Sequence, residues 1–320
     1  MKVRLGYVAI SKKLGKKVTS SSTVTFTNYN KIAIPEKRLE KLKLVAASNL
    51  KDLETIIKYN IENNIHFYRI TSALIPLVTH PEVGYWGHRE FLKKDFKYVG
   101  KLINNSNMRV DTHPDEFNVI NSINPNVVEN TKINLMCQAE WFEDFKYDLG
   151  KMVIHVGGAT NGKEAGIERF INNFRTFPEE VKSKIIIEND DKTYTAQETL
   201  NLCNELHLPM VLDIHHHNCN NSDDDIYKLI PKIFQTWKNE KLPPKLHFSS
   251  PKTGEKDRKH ADFINPNDFV NFLENIKTFN TDIDIMLECK EKDLALFKLV
   301  SDIQEIKPEY KWIDESTVIV

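Results

Sequence analysis

Four apolar segments of the chain end in a side chain that can bind a metal ion. Each has three apolar residues before an imidazole or a carboxylate, and the four end at His155 ("MVIH"), Glu188 ("IIIE"), Asp213 ("MVLD") and Glu288 ("IMLE"). Burying four such groups without a cation would be costly. The repeated pattern therefore predicts a metal centre at the ends of buried strands.

Four further histidines follow comparable segments and extend this candidate ligand set: His80 in "LVTHPE", His113 in "DTHPDE", His247 in "KLHFSS" and His260 in "RKHADF". Taken singly, any of them is more often a hydrogen-bonded core or surface residue. Together, imidazoles and carboxylates without thiolates favour Mn²⁺ or Zn²⁺, and Mg²⁺ less strongly. Because the set exceeds what one ion needs, we predict two or three ions, with Glu188 as a bridging carboxylate.

Several cations in one cleft are well matched to the chemistry of a phosphodiester. They activate water, bind the non-bridging oxygens and stabilise the departing alkoxide. A structural metal site, by contrast, is normally closed by about four ligands. The composition of the set thus favours a hydrolase over a protein with a purely structural metal.

The elements that would position these residues alternate regularly along the chain. Eight β-rich or apolar runs occur at 4–11, 66–72, 108–114, 151–158, 184–190, 210–217, 245–250 and 284–290. Segments with helical periodicity separate them, such as the stripe Leu50, Leu53, Ile56, Ile57 and Ile61. This order predicts an α/β fold, a (β/α)₈ TIM barrel, in which active sites lie at the carboxyl ends of the strands.

The alternative architecture is an open doubly wound sheet. That fold usually carries a glycine-rich phosphate loop after its first strand, and "KKLGKKVTSSSTVTFTNYN" has no G-x-G-x-x-G pattern. We therefore expect a single barrel domain over residues 1–306, with 307–320 as a C-terminal tail packed on or trailing the barrel.

Charge is balanced over the whole chain but concentrated locally. The formal net charge is −1, which gives no global attraction to a polyanion. Two basic clusters follow the first and seventh strands: Lys12, Lys13, Lys16 and Lys17, and Lys252, Lys256, Arg258 and Lys259. Each taken alone is more often a solvated loop, but on the face that carries the ligands they would form a positive rim for a nucleic-acid backbone.

Two further features bear on the cellular setting. No apolar run approaches the roughly 18 residues that a membrane helix needs, so no membrane partner is expected. The four cysteines are too dispersed for a metal clip and too few for a disulfide scaffold. Reduced thiols in a cytoplasmic protein are the simplest interpretation.

The ordered motifs "RLGYVAIS", "YRITSALIPLVTHPE", "DTHPDEFNV", "VIHVGGATNGKEAGIERF", "IEND", "LDIHHHN", "KLHFSS", "KHADF" and "MLECKEK" span most of the chain. In number and order they resemble the UV damage endonucleases, barrel enzymes akin to nucleases of the endonuclease IV type. The resemblance implies incision of double-stranded DNA immediately 5′ of a UV photoproduct, a cyclobutane dimer or a 6-4 product. It also implies 3′-hydroxyl and 5′-phosphate ends and Mn²⁺ as the cofactor, and a monomer suffices for this activity.

Carried over residue by residue, the resemblance implies nine metal ligands: His80, His113, His155, Glu188, Asp213, His216, His247, His260 and Glu288. Glu188, Lys245 and His247 are expected to take part in catalysis. Lys245 matches a lysine that in this family can be carboxylated and then contacts the metal site, whereas an ordinary lysine there would pair with a carboxylate.

Lesion recognition in such enzymes resembles extrusion of the damaged bases from the stack. The residues that fill the gap would be Glu116 and Phe117, with Tyr7 as an aromatic partner. The family's commoner pattern at 116 and 117 resembles glutamine and tyrosine, and a carboxylate donates no hydrogen bond unless protonated. Further DNA contacts are expected from Arg69, Lys252 and Arg258.

The stretch "DIHHHN" gives two conflicting predictions. Alternation along a continuing strand places His215 and His217 on the same face as Asp213. The resemblance selects His216, a spacing of three that requires the chain to curl out of the strand after Asp213. We expect the second arrangement, since strands of a barrel end at its rim.

Three alternative functions differ in their sites. An abasic-site nuclease of the endonuclease IV type would share the metals but hold a pocket for a missing base. A sugar isomerase on the same barrel would resemble a carboxylate-rich site with few histidines. A non-catalytic damage-binding protein would use its metals structurally.

Overall fold

A computed structural model of the chain describes residues 1–222 and 225–320. Eight parallel strands follow one another around a closed barrel, because β1 pairs with both β2 and β8. These strands are β1 (Lys2–Val8), β2 (Phe67–Ile70), β3 (Arg109–Thr112), β4 (Lys151–His155), β5 (Ile185–Glu188), β6 (Met210–Asp213), β7 (Lys245–Phe248) and β8 (Ile283–Leu287). The predicted (β/α)₈ barrel is confirmed.

Helices follow the strands, and most of them cover the outside of the barrel. They are α1 (Phe26–Asn30), α2 (Pro35–Glu62), α3 (His88–Asn105), α4 (Pro125–Phe145), α5 (Lys163–Arg175), α6 (Glu179–Lys182), α7 (Ala196–Leu206), α8 (Ile214–Cys219), α9 (Ile226–Gln235), α10 (Pro266–Ile276) and α11 (Lys292–Ile306). A 3₁₀ turn, Lys277–Phe279, follows α10.

The residues that predicted helix starts in the sequence cap the helices in the structure. Asn265 caps α10 by accepting from the amide of Asn267, and Pro266 occupies the first turn, where its missing N–H is not needed. On α2, the residues from Leu50 to Ile57 in the predicted stripe are buried against the barrel. Ile61, at the end of that stripe, is 37% exposed.

Side chains alternate between the barrel interior and the helix layer, as strand geometry requires. On β1, Val8 packs inside with Phe67 and Met286. Gly6 is also on this face, and a Cβ there would lie 2.8 Å from the Phe67 ring. Tyr7 points the other way, toward α2, where its hydroxyl donates to Asn60 at 2.7 Å.

The C-terminal residues add two strands to the sheet. Strands β9 (Lys311–Trp312) and β10 (Thr317–Ile319) form an antiparallel hairpin, and β10 pairs with the first residues of β1. This places the hairpin at the amino-terminal end of β1, away from the carboxyl ends of the barrel strands. Across the described residues, no helix is long and apolar enough to cross a membrane.

Candidate metal centre

Glu188 lies at the centre of the side chains that the strand ends bring together. Its Oε2 is 3.0 Å from Nε2 of His113 and 3.6 Å from Nε2 of His155. Its Oε1 is 2.7 Å from Nδ1 of His247 and 3.5 Å from Nδ1 of His216. The two carboxylate oxygens thus face different sets of imidazoles.

Strand register explains why these groups converge. His155 is the Cα partner of Glu188 across β4 and β5, and Asp213 is the partner of His247 across β6 and β7. Glu288 follows β8 directly and lies 3.3 Å from His247 Nδ1. Neighbouring parallel strands therefore present their last inward side chains at one level of the barrel.

Three overlapping groups within this cluster have ligand atoms no more than 4.8 Å apart. The groups are His113, His155 and Glu188; Glu188, Asp213 and His216; and Asp213, His247 and Glu288. Glu188 belongs to the first two and Asp213 to the last two, so each carboxylate joins adjacent groups.

The chain leaves β6 at Asp213 and begins α8 at Ile214. Asp213 is the N-cap, and its Oδ1 accepts a 2.7 Å hydrogen bond from the amide of His216. This turn brings His216 to Glu188, whereas the His215 ring packs 5.3 Å from the His260 ring. His217 is buried outside the three groups. Simple strand alternation fails here because the strand has ended.

The electrostatics of the cluster favour charged carboxylates. Burial alone would raise the pKa of Glu188, but His247, His155 and the hydrogen bonds from His113 and His247 hold that pKa well below its usual range. At Glu288, Arg69 and His247 likewise outweigh burial and lower the pKa of the carboxyl group.

The donor set suits a divalent cation. Oδ2 of Asp213 is buried and accepts no hydrogen bond from the described part of the chain. A buried carboxylate oxygen without a donor is costly unless a cation is bound. In each group, imidazole nitrogens and carboxylate oxygens within 4.8 Å of one another provide the mixed ligands that Mn²⁺ and Zn²⁺ accept.

Two predicted ligands lie outside the three groups. His80 is in the loop after β2, where its ring stacks 4.0 Å from that of Phe26 and its Nδ1 accepts from the amide of Glu82. His260 is nearer: its ring is 6.4 Å from the His216 ring, and the Pro251–His260 bridge fixes its backbone. The structure thus brings seven of the nine predicted ligands together in these groups and places His80 and His260 on loops outside them.

One level deeper in the barrel, Lys245 donates a 2.6 Å hydrogen bond to Asp111, and both side chains are buried. Burial lowers the pKa of Lys245 to about 8, against the opposing effect of Asp111, and Arg69 and Arg109 contribute in the same direction as burial. Lys245 thus forms the ion pair with a carboxylate that is expected of an unmodified lysine at this position. Asp111 lies on β3 and His113 directly follows that strand, so their spacing of two residues is the sequence signal that both face inward.

Two residues orient the candidate ligands without belonging to the groups. The Arg69 guanidinium donates to Glu288, and its side chain is 12% exposed. Asn189 exchanges two hydrogen bonds with the backbone of Asp213, at 2.9 and 3.0 Å, and its carbonyl lies 2.9 Å from His216 Nδ1. The sequence alone leaves the role of Asn189 open, and its position directly after Glu188 is the available signal.

The residues expected to contact the lesion differ in their exposure to solvent. Glu116 and Phe117 form the exposed tip of the loop after β3, and Phe117 is 64% exposed. Tyr7 is fully buried behind β1, so the expectation of a lesion-facing aromatic at this position is corrected. Its burial follows from alternation, since the inward face of β1 carries Gly6 and Val8.

A cavity of about 800 Å³ opens beside the cluster. Its lining includes His155, His216, Glu116, Lys252 and Arg258. Arg258 is 52% exposed at the side chain and pairs with Asp191 at 2.5 Å. The second basic cluster therefore lies at the rim of the same opening as the candidate metal ligands.

Known proteins resemble this chain along its length. The sequence model of the family described as UV-endonuclease UvdE matches residues 3–316. A UV DNA damage endonuclease of Halalkalibacterium halodurans is 37% identical over 100% of this chain and 97% of its own length. One from Bacillus cereus is 36% identical over 96% of each chain.

Solved structures support the same relationship. The crystal structure of SacUVDE has a TM-score of 0.83 at 30% identity and covers 95% of this chain and 99% of its own. Endonuclease IV from Thermus thermophilus has a TM-score of 0.55 at 14% identity, covering 94% and 99%, which is a likeness of fold alone.

Proposed function

The chain belongs to the UV-endonuclease UvdE family, and from that premise we propose that it is a DNA repair endonuclease that acts on UV photoproducts. It incises the phosphodiester immediately 5′ of a cyclobutane pyrimidine dimer or a 6-4 product and leaves a 3′-hydroxyl and a 5′-phosphate. The observation that carries the proposal is the position of Glu188, whose two carboxylate oxygens contact the imidazoles of His113, directly after β3, and His247, on β7, beside the cavity that Lys252 and Arg258 line.

The cofactor is a cluster of two or three Mn²⁺ ions. The residues that would hold it are His113, His155, Glu188, Asp213, His216, His247 and Glu288. The sequence resemblance adds His80 and His260. When bound, the ions supply Lewis-acid stabilisation of phosphate oxygens and a more acidic water. Zn²⁺ and Mg²⁺ are the alternatives that the ligand types allow.

The chain's own residues prepare this site before the substrate arrives. Glu188 stays ionised because neighbouring imidazoles lower the pKa of its carboxyl group. Arg69 orients Glu288, and Asn189 fixes the backbone that carries Asp213 and His216. Preorganised ligands reduce the reorganisation that the reaction would otherwise require.

DNA is held by contacts of two kinds. Lys252 and Arg258 at the rim of the cavity neutralise backbone phosphates, which binds the duplex without regard to sequence. The exposed pair Glu116 and Phe117 enters the stack where the lesion has weakened it, with Phe117 supplying an aromatic face. Double-stranded DNA with UV lesions is thus the partner.

Nicking of supercoiled plasmid tests the proposal. With Mn²⁺, purified protein is expected to relax UV-irradiated plasmid, to leave unirradiated plasmid intact and to lose activity when a chelator is added. A plasmid with abasic sites forms a third arm, and faster nicking there than on irradiated DNA would replace the proposal with an abasic-site nuclease. Equal nicking of untreated plasmid would show that the enzyme does not select lesions.

The position of the cut needs a separate measurement. On an end-labelled duplex with one thymine dimer, the product should end immediately 5′ of the dimer and should be extended by a DNA polymerase, since extension requires a 3′-hydroxyl. Glu168, an exposed carboxylate on α5, provides a control: Glu168→Gln should cut at the same site and rate as the wild-type protein.

A further inference from the structure

Asp293 is a buried carboxylate at the start of α11 that binds the loop after β1. Its Oδ2 accepts from the hydroxyl of Ser11 at 2.5 Å, and its Oδ1 accepts from the amide of Lys12 at 2.7 Å. The amide of Lys13 also points to it, at 3.3 Å. Tyr59 of α2 donates its hydroxyl to the same carboxylate at 3.0 Å.

The loop held in this way carries the first basic cluster. Lys12, Lys13, Lys16 and Lys17 are all exposed, and residues 9–25 contain neither helix nor strand. Lys12 pairs with Glu291 at 3.6 Å, and the four like charges otherwise repel one another, which does not favour a single loop conformation. The Asp293 contacts at Ser11, Lys12 and Lys13 fix the loop where it leaves β1.

Asp293 belongs to a short connection, residues 288–293, that also reaches the second basic cluster. Glu288, a candidate metal ligand, begins it. The amides of Lys290 and Glu291 donate to the carbonyls of Ala261 and Asp262, each at 3.1 Å, and those residues directly follow the loop that ends at His260. Both positively charged loops are therefore attached to the segment that leads from the candidate metal centre into α11.

The backbone of this connection is unusual. Lys292, immediately before Asp293, has a φ of 52°, in the left-handed region that non-glycine residues rarely adopt. Such a conformation persists only where the surrounding contacts fix it. Here it turns the chain so that the Asp293 side chain faces β1 and its loop.

We propose that Asp293 is a positioning residue that holds the lysines of the 12–17 loop in place for the phosphate backbone of bound DNA. The inference rests on the proposed function, because it assumes a DNA substrate. Asp293 itself is buried and does not touch the nucleic acid. It acts by ordering the loop beforehand, so that less conformational entropy is lost when the lysines meet phosphates.

The test is the salt dependence of binding to a short undamaged duplex in the presence of Mn²⁺, because the proposed function leaves undamaged DNA uncut. The slope of log affinity against log salt becomes smaller by about 0.9 for every phosphate that the protein no longer neutralises. Asp293→Asn keeps the side-chain shape but replaces an acceptor by a donor opposite Ser11 and Lys13. We expect affinity to fall about tenfold at low salt, with a smaller slope.

A variant in which all four lysines are alanine separates positioning from general loss of structure. In that background, Asp293→Asn should change DNA affinity little, since no lysines remain to be positioned. An equal loss in both backgrounds would overturn the proposal, because the substitution would then act elsewhere.

Two milder variants guard against a misfolded protein. Ser11→Ala removes a hydrogen bond between the carboxylate and the loop, so it should weaken binding in the same direction as Asp293→Asn. Tyr59→Phe removes a hydrogen bond to the same carboxylate from α2 and leaves the contacts of Asp293 with Ser11, Lys12 and Lys13, so its slope should equal that of the wild type. If Ser11→Ala and Tyr59→Phe behave alike, Asp293 does not position the loop.

The outcome also separates this inference from the proposed function. A wild-type protein that fails to bind any duplex would contradict the DNA-directed function. Wild-type binding with an unchanged slope in Asp293→Asn would contradict the positioning role alone.

Discussion

Glu188 and His247 are 2.7 Å apart, from Oε1 to Nδ1, and both side chains are withdrawn from solvent. They come from β5 and β7, which are not neighbours in the sheet, so their approach crosses the interior of the barrel. A carboxylate at this point lies between imidazoles on opposite sides of the barrel. This is the geometry expected of a ligand that bridges two ions.

We expect Glu188→Gln to abolish incision of irradiated plasmid while the duplex still binds. The amide loses the negative charge that two of the candidate ligand groups share. Cleavage should fall by more than the roughly 10- to 100-fold that accompanies loss of residues supporting a metal ligand. Initial rates with Mn²⁺ measure incision, and fluorescence anisotropy measures binding of the duplex. Glu168→Gln is the matched control.

The histidine triplet gives a prediction with internal controls. His216→Ala should weaken Mn²⁺ binding and lower cleavage strongly, because the His216 ring faces Glu188 at 3.5 Å. His215→Ala and His217→Ala should have smaller effects on the metal, since neither belongs to the ligand groups among the described residues. Isothermal titration with Mn²⁺ compares all three. A greater loss of affinity in either control than in His216→Ala would contradict the geometry.

The buried pair below the metal centre predicts a stability effect. Lys245→Met leaves Asp111 buried without its partner at 2.6 Å, and removing one member of such a pair typically costs about 3–5 kcal/mol. The double variant Lys245→Met with Asp111→Leu removes both charges and should recover part of that loss. Urea denaturation of the three proteins gives the free energies of unfolding. A double variant less stable than the single one would show that the pair is not coupled in this way.

His88 predicts acid sensitivity of the fold. Burial, aided by the nearby charge of Arg89, lowers the pKa of His88 to about 4 from an ordinary value of 6.5, so the folded protein binds fewer protons than the unfolded chain between these values. Stability from neutral His88 is therefore complete above pH 6.5 and is lost as the pH falls toward 4.

The matching measurement is the free energy of unfolding of wild type and His88→Leu at several pH values. The difference between them should shift in favour of the variant by roughly 2–3 kcal/mol between pH 7 and pH 4. Because carboxylate titrations are common to both proteins, they cancel in the difference. A constant difference across this range would contradict the assignment.

Arg258 and Asp191 predict opposite changes in DNA affinity. Arg258→Ala removes a cation from the cavity rim and should lower the salt slope of duplex binding by about one phosphate contact. Asp191→Asn releases Arg258 from its 2.5 Å partner and should strengthen binding at low salt. Lys241→Ala, an exposed lysine before the amino-terminal end of β7, serves as the control that leaves binding unchanged.

The sequence predicted the parts of the site that regular geometry determines. A ligand at the last inward position of a strand must join its neighbours at the rim of a closed barrel, and His155, Glu188, Asp213 and His247 do so. The positions of these four residues at strand ends were therefore sufficient to predict that they converge.

The parts that depend on loops or on partners across the barrel were not predictable in this way. His80 follows β2 by ten residues, and no local signal fixes where such a loop turns. The partnership of Lys245 with Asp111 joins strands 134 residues apart. Tyr7 is a different case: alternation on β1 gives the inward positions to Gly6 and Val8, so regular strand geometry itself turns Tyr7 away from the site.

Asp213 has two roles that cannot be changed separately. It caps α8 through the amide of His216, and it is a candidate ligand whose other oxygen has no donor among the described residues. Because one carboxylate supports both the first turn of this six-residue helix and the proposed cation, occupancy of the metal should slow the exchange of the α8 amide hydrogens with solvent. The backbone of residues 214–219 would then report metal loading directly, without any measurement of catalysis.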